Sequence, residues 1–160
     1  MHNIHILCVG KLKEPFYQAA AAEYAKRLEP SCKLKITELP EERLPDRPSP
    51  AQIENALKKE GEALLALIPK GAAVCALCVE GKPCSSEAFS QQLEQLAVRG
   101  GSRLVFLIGG SFGLHEAVKA RADWRLSLSP MTFPHHLARV LLLEQLYRAF
   151  QIRLGTRYHK

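Results

Sequence analysis

Five short strand-like runs recur along the chain, and a stretch with helical spacing follows each one. The runs are His5–Val9 (ended by Gly10), Lys33–Leu39, Ala72–Val79, Arg103–Ile108 and Trp124–Leu128. Between and after them lie Glu14–Leu28, a stretch from Pro50 to about Leu67, Ser86–Val98, Leu114–Arg121 and His135–Phe150. Strict alternation of this kind predicts an α/β fold with a mostly parallel sheet flanked by helices. Start and stop signals agree. Ser49-Pro50-Ala51-Gln52 is a capping box with proline at the first helical position, and Pro30 lies just past the first helix. Lys33–Leu39 alternates charged and apolar residues, as a half-exposed strand does, and a turn is expected at Glu80-Gly81-Lys82-Pro83.

A length of 160 residues suits a single domain spanning 1–160. The opening MHNIHILCVG has neither a basic n-region nor a long apolar run, and no segment approaches a membrane span, so a cytoplasmic protein without a membrane partner is expected. Five cysteines are an odd count for a disulfide framework. Cys75-Ala-Leu-Cys78 has the spacing of a metal pair, but within a strand the two thiols fall on opposite faces and no second pair follows. Buried apolar cysteines are expected, and no metal.

Two loops near the carboxyl end carry chemistry. Gly109-Gly110-Ser111-Phe112-Gly113 follows a strand and precedes a helix, where glycine lets bare backbone approach a ligand. It is neither a dinucleotide fingerprint nor a phosphate loop, and alone it reads equally well as a tight turn. The second loop, Leu126 to Pro134, offers the hydroxyls of Ser127, Ser129 and Thr132 on a backbone stiffened by Pro130 and Pro134. In a parallel sheet the turns after Cys78, Ile108 and Leu128 share one edge, the edge where open α/β sheets bind ligands.

The helix from His135 to Phe150 is apolar on more than one side, so it needs cover from its own sheet and from a second subunit; a homodimer is the natural inference, although a fully buried central helix would show the same pattern. Charge is just as unevenly placed. Residues 101 to 160 hold nine lysines and arginines against three carboxylates, so the chain's entire excess of +6 lies there. Arg153, Arg157, Tyr158, His159 and Lys160 crowd into the tail, a mixture suited to phosphate contact and base stacking.

These residues resemble the ribosomal-RNA large-subunit methyltransferase H family, within the SPOUT superfamily of knotted methyltransferases. The similarity runs from HILCVGKLKE to GTRYHK and is most specific at IGGSFGL, LSLSPMTFPH and RVLLLEQLYRAF. The resemblance implies a carboxyl-terminal half threaded as a trefoil knot. It implies S-adenosylmethionine held by Leu77, Gly109, Gly110, Leu128, Ser129, Pro130, Met131, Thr132 and Phe133. It also implies a homodimer in which one subunit's tail completes the other's active site. The implied substrate is a pseudouridine in large-subunit ribosomal RNA, methylated at N3 in the assembled ribosome. His136 stands where many relatives are expected to carry glutamine, so His135, in the Pro134-His135 motif, fits a shared role better.

An imide N3 attacks poorly while protonated, so it needs a base or a stabilising positive charge. His159 is the leading candidate to accept that proton, with Arg139, Arg157 and Tyr158 holding the nucleotide and His135 beside the cofactor loop. Two other readings fit parts of the sequence. A non-enzymatic RNA-binding assembly factor would use the same basic surface without a cofactor. A nucleotide-dependent oxidoreductase would use the glycine turn, but lacks the full dinucleotide fingerprint after the first strand.

Overall fold

The computed structural model describes residues 1–160. Strands β1 (His2–Val9), β2 (Cys32–Leu39), β3 (Ala73–Lys82), β4 (Arg103–Ile108) and β5 (Trp124–Leu126) alternate with helices α1 (Pro15–Leu28), α2 (Pro50–Ala66), α3 (Ser86–Arg99), α4 (Glu116–Arg121) and α5 (His135–Leu154). The strands form one sheet in the order β2-β1-β4-β3-β5, with every neighbouring pair parallel. The α/β architecture read from the alternation is therefore present, and the sheet is parallel throughout.

Each face of the sheet has its own core. On one, Ile4, Ile6, Phe106 and Ile108 pack with Leu93 of α3 and with Leu142, Leu143 and Leu146 of α5. On the other, Leu7, Val9, Val105 and Leu107 pack with Leu64 of α2 and Val118 of α4. The central strands β1 and β4 are buried on both sides, so they read as near-unbroken apolar runs. Each fully buried Leu, Ile or Phe contributes about 1.5–3 kcal/mol. Edge strand β2 leaves Lys33 and Lys35 exposed. No helix is long and apolar enough to cross a membrane.

Several boundaries differ from the sequence reading, each for a local reason. β1 begins at His2 rather than His5, because the pairing with β2 starts there. The turn expected at Glu80-Gly81-Lys82-Pro83 is instead the end of β3, where Lys82 pairs with Leu126 after a shift of register at Leu77. Gly81 makes this possible, since a Cβ there would lie 2.8 Å from the Leu126 carbonyl carbon. β5 stops at Leu126 because Ser127 Oγ turns back to donate to the Ser129 carbonyl at 2.9 Å. α4 starts at Glu116, capped by His115, whose Nδ1 accepts from the Ala117 N–H at 3.1 Å. α5 continues past Phe150 to Leu154 and ends at Gly155, whose φ of 69° suits a left-handed cap.

Candidate functional site

Parallel strands place all their carboxyl ends on one edge, and there the turns after β3, β4 and β5 enclose a pocket of about 760 Å³. Its walls are Leu77 to Glu80, Ile108 to Leu114, and the segment from Leu126 to His135 without Pro130, together with Lys119 and Ala138. Half of the 22 lining residues are hydrophobic. A cleft of this size, apolar with a few fixed polar groups, suits a small organic ligand.

The glycine loop is folded tightly on itself. Gly113 N–H donates to the Gly110 carbonyl at 3.1 Å, and Gly113 adopts φ 83°. A Cβ on Gly109 would meet the Gly113 carbonyl oxygen at 2.3 Å, which no side chain tolerates. The opposite wall is organised by serine hydroxyls, with Ser129 Oγ accepting from Met131 N–H at 3.0 Å. The N–H groups of Leu128, Ser129, Thr132 and Phe133 meet no carbonyl of the chain, which leaves four backbone donors on this wall. Of the residues that the resemblance assigns to a cofactor, Pro130 alone lies outside the lining. Cys78 also lines the pocket, while Cys75 is in the core, with burial pushing its thiol up. No group of three or more His, Cys, Asp or Glu is arranged to hold a metal ion.

The other candidate residues fall in two places. Arg139 is 3% exposed; its Nη1 donates to Glu38 at 2.6 Å and its Nη2 to the Gly10 carbonyl at 3.0 Å. It thereby ties α5 to the ends of β1 and β2. Burial opposes ionisation of Glu38, but the bond from Arg139 prevails and holds its carboxyl below the usual value. The tail folds back on α3 and α5 of the same chain, outside the pocket. His159 Nδ1 accepts from Arg148 Nη1 at 3.0 Å, so the ring carries its proton on Nε2, which donates to Glu87 at 2.6 Å. Tyr158 donates to Glu144 at 3.0 Å, and burial together with that carboxylate pushes its phenol up to about 12. Arg157 is exposed. The chain does not bring its tail and its pocket together.

Sequence reasoning missed a group beside the pocket. Glu41, in the proline-punctuated segment between β2 and α2, accepts the Ser111 N–H at 2.8 Å. Its Oε1 would lie 2.7 Å from a Cβ on Gly110. Its Oε2 and the Nε2 of His135 both lie within 4 Å of the position that a Cβ on Gly10 would take. Gly10 itself has φ 96°. Nothing local marks Glu41, since its partner is 70 residues away and its segment has no periodicity. Lys119, paired with Glu80 on the pocket wall, was missed as well; it reads from the sequence as an ordinary surface lysine of α4.

Solved structures share this fold. A probable methylase family protein from Haemophilus influenzae Rd KW20 superposes with a TM-score of 0.55 at 12% identity, covering 98% of this chain and 70% of that one. A structure described by the 2-OH methylation of C/U34 on tRNA superposes with a TM-score of 0.51 at 20% identity, covering 96% and 98%. At these identities the likeness is one of fold. Residues 2–159 match the family described as predicted SPOUT methyltransferase, so the chain belongs to the SPOUT methyltransferases, enzymes whose methyl donor is S-adenosylmethionine.

Proposed function

We propose that the protein methylates N3 of a pseudouridine in large-subunit (23S) ribosomal RNA, within the assembled ribosome, as a cytoplasmic homodimer. The observation that carries this reading is the pocket where three turns converge at the carboxyl edge of the sheet in a chain of this family. Its residues suit the donor. The apolar walls take a flat ring, and the free N–H groups of Leu128, Ser129, Thr132 and Phe133 can fix its polar edge. Gly109 and Gly110 let the loop close on Gly113 and on Glu41, which sets the shape of this wall. S-Adenosylmethionine supplies an electrophilic methyl group when bound; the protein's part is to hold the acceptor in line with it and to take up the acceptor's proton.

The chain passes from β4 over β3 to the sheet edge through α4, then returns on the opposite face through α5, which packs on α1 and α3. This double crossing of β3 is compatible with the trefoil knot that the family resemblance implies. Support for an RNA partner comes from the +6 excess confined to residues 101–160. Because the tail lies outside its own pocket, Arg157, Tyr158 and His159 serve the partner protomer's pocket, and Arg139 acts from within by holding the strand ends. Phe16, 65% exposed, and the half-buried Leu137, Val140 and Leu141 supply apolar surface for the second subunit.

The test is methyl transfer from labelled S-adenosylmethionine to ribosomes purified from cells lacking the enzyme, followed by nucleoside identification by mass spectrometry. The expected product is 3-methylpseudouridine from the large-subunit RNA. Label on a ribose oxygen would refute the assigned acceptor, and RNA binding without transfer would favour an assembly factor.

A further inference from the structure

We infer that His135, with the Glu41 carboxylate nearby, accepts the proton released from the methyl-acceptor nitrogen. This deepens the proposed function and rests on it for the identity of the acceptor. His135 is the first residue of α5 and lines the donor pocket. Its position differs from that of the other histidines. His2 is engaged by Glu94, His5 by Thr37, His115 by Glu54 and Ala117, His136 by Glu14, and His159 by Arg148 and Glu87. No hydrogen bond from the chain occupies the His135 ring. Its Nε2 and the Oε2 of Glu41 converge on Gly10, which has no side chain to separate them. Glu41 is itself fixed, because its Oε1 holds the Ser111 amide of the glycine loop. A carboxylate, an imidazole with free nitrogens and the wall of a methyl-donor pocket thus meet at one place.

The charge states suit the role. Burial and the neighbouring His136 hold His135 below the usual histidine value, so its imidazole is neutral near pH 7. Burial opposes ionisation of Glu41, but its bonds from Ser111 and, more weakly, the charge of the nearby histidines hold its carboxyl below the usual value. In the step, the acceptor nitrogen's electron pair forms the new N–CH3 bond. The C–S bond breaks with its pair going to sulfur, and the acceptor's proton passes to His135 Nε2. The imidazolium formed faces the Glu41 carboxylate and later loses its proton to water. Glu41 acts through His135 by its charge, which favours the imidazolium.

Two measurements test this. The first follows the His135 ring by NMR in the free protein across pH, in wild type and Glu41→Gln. The groups facing that ring are Glu41 from the segment after β2, Glu14 from the segment before α1, and His136 and Arg139 from α5. Wild-type His135 should titrate below the ordinary histidine range, and Glu41→Gln should lower the midpoint further, because a stabilising anion is lost. An unchanged midpoint overturns the pairing, whatever the enzyme methylates.

The second is single-turnover methyl transfer to the same ribosomes at saturating donor. His135→Asn should lower the rate about 10²–10⁴-fold. Glu41→Gln should lower it less and move the acid limb of the pH–rate profile to lower pH, with Glu41→Asp restoring the profile. Wild-type rates in His135→Asn would overturn the proposal. If wild type itself labels no ribosome, the substrate reading fails, and the NMR titration alone decides for or against the pair.

Discussion

Arg139, expected from the sequence to hold the nucleotide, ties α5 to the ends of β1 and β2 in the fold. Its guanidinium sits 3% exposed between Glu38 and the Gly10 carbonyl, with Nε buried and unpartnered. Arg139→Met removes the donor to the Gly10 carbonyl and leaves the Glu38 carboxylate with the Leu12 N–H alone, and should destabilise the protein by roughly 1–3 kcal/mol in urea denaturation. The pH dependence has a definite sign. The folded-state value of Glu38 lies below its ordinary 4.5, so the pair's contribution is complete above that pH and is lost as pH falls through the depressed value. Wild type should therefore lose more stability than Arg139→Met between about pH 5 and pH 3. An equal loss in both would show that the pair contributes nothing. The two loops that wall the pocket were legible, because glycine, serine and proline constrain backbone locally, while the individual ligand contacts were implied by resemblance alone. Glu41 was not, because its significance arises only when β2 and β4 come to flank β1.

At the scale of elements, the period of the apolar residues was enough to place all five strands and all five helices. The ends of elements were less legible. β5 ends and α4 begins where a side chain competes for backbone, at Ser127 and His115, and such competition has no period. Gly81, read as a turn glycine, instead admits the backbone of β5 alongside β3. The tail is an element in its own right, held by Arg148 to His159, His159 to Glu87 and Tyr158 to Glu144. Removing residues 156–160 should leave donor affinity unchanged in calorimetry, since none of them lines the pocket. Methyl transfer to ribosomes should fall about 100-fold or more, because the nucleotide loses its positioning contacts. Full activity in the truncated protein would mean that the tail does not serve the active site.

For the whole molecule, the sheet order explains the site. With β4 between β1 and β3 and β5 outside β3, residues from 10 to 135 gather at one edge although no short stretch contains them. The proposed knot involves the whole chain, so local sequence reports it only through resemblance, whereas the proposed dimer has a local trace in the apolar breadth of α5. Light scattering should give twice the chain's 17.8 kDa, and ribosome binding should weaken linearly in log affinity with log salt, as expected for the basic carboxyl-terminal field. A monomer in light scattering, or binding indifferent to salt, would contradict that arrangement. The most direct test of the central claim, that the three-turn pocket is the methyl-donor site, is calorimetric titration with S-adenosylmethionine of wild type and Gly109→Ala. Wild type should bind, and the variant at least about tenfold more weakly, a difference of about 1.4 kcal/mol, because its new Cβ displaces the Gly113 carbonyl. Equal binding by a folded Gly109→Ala protein, or none by folded wild type, would contradict the account.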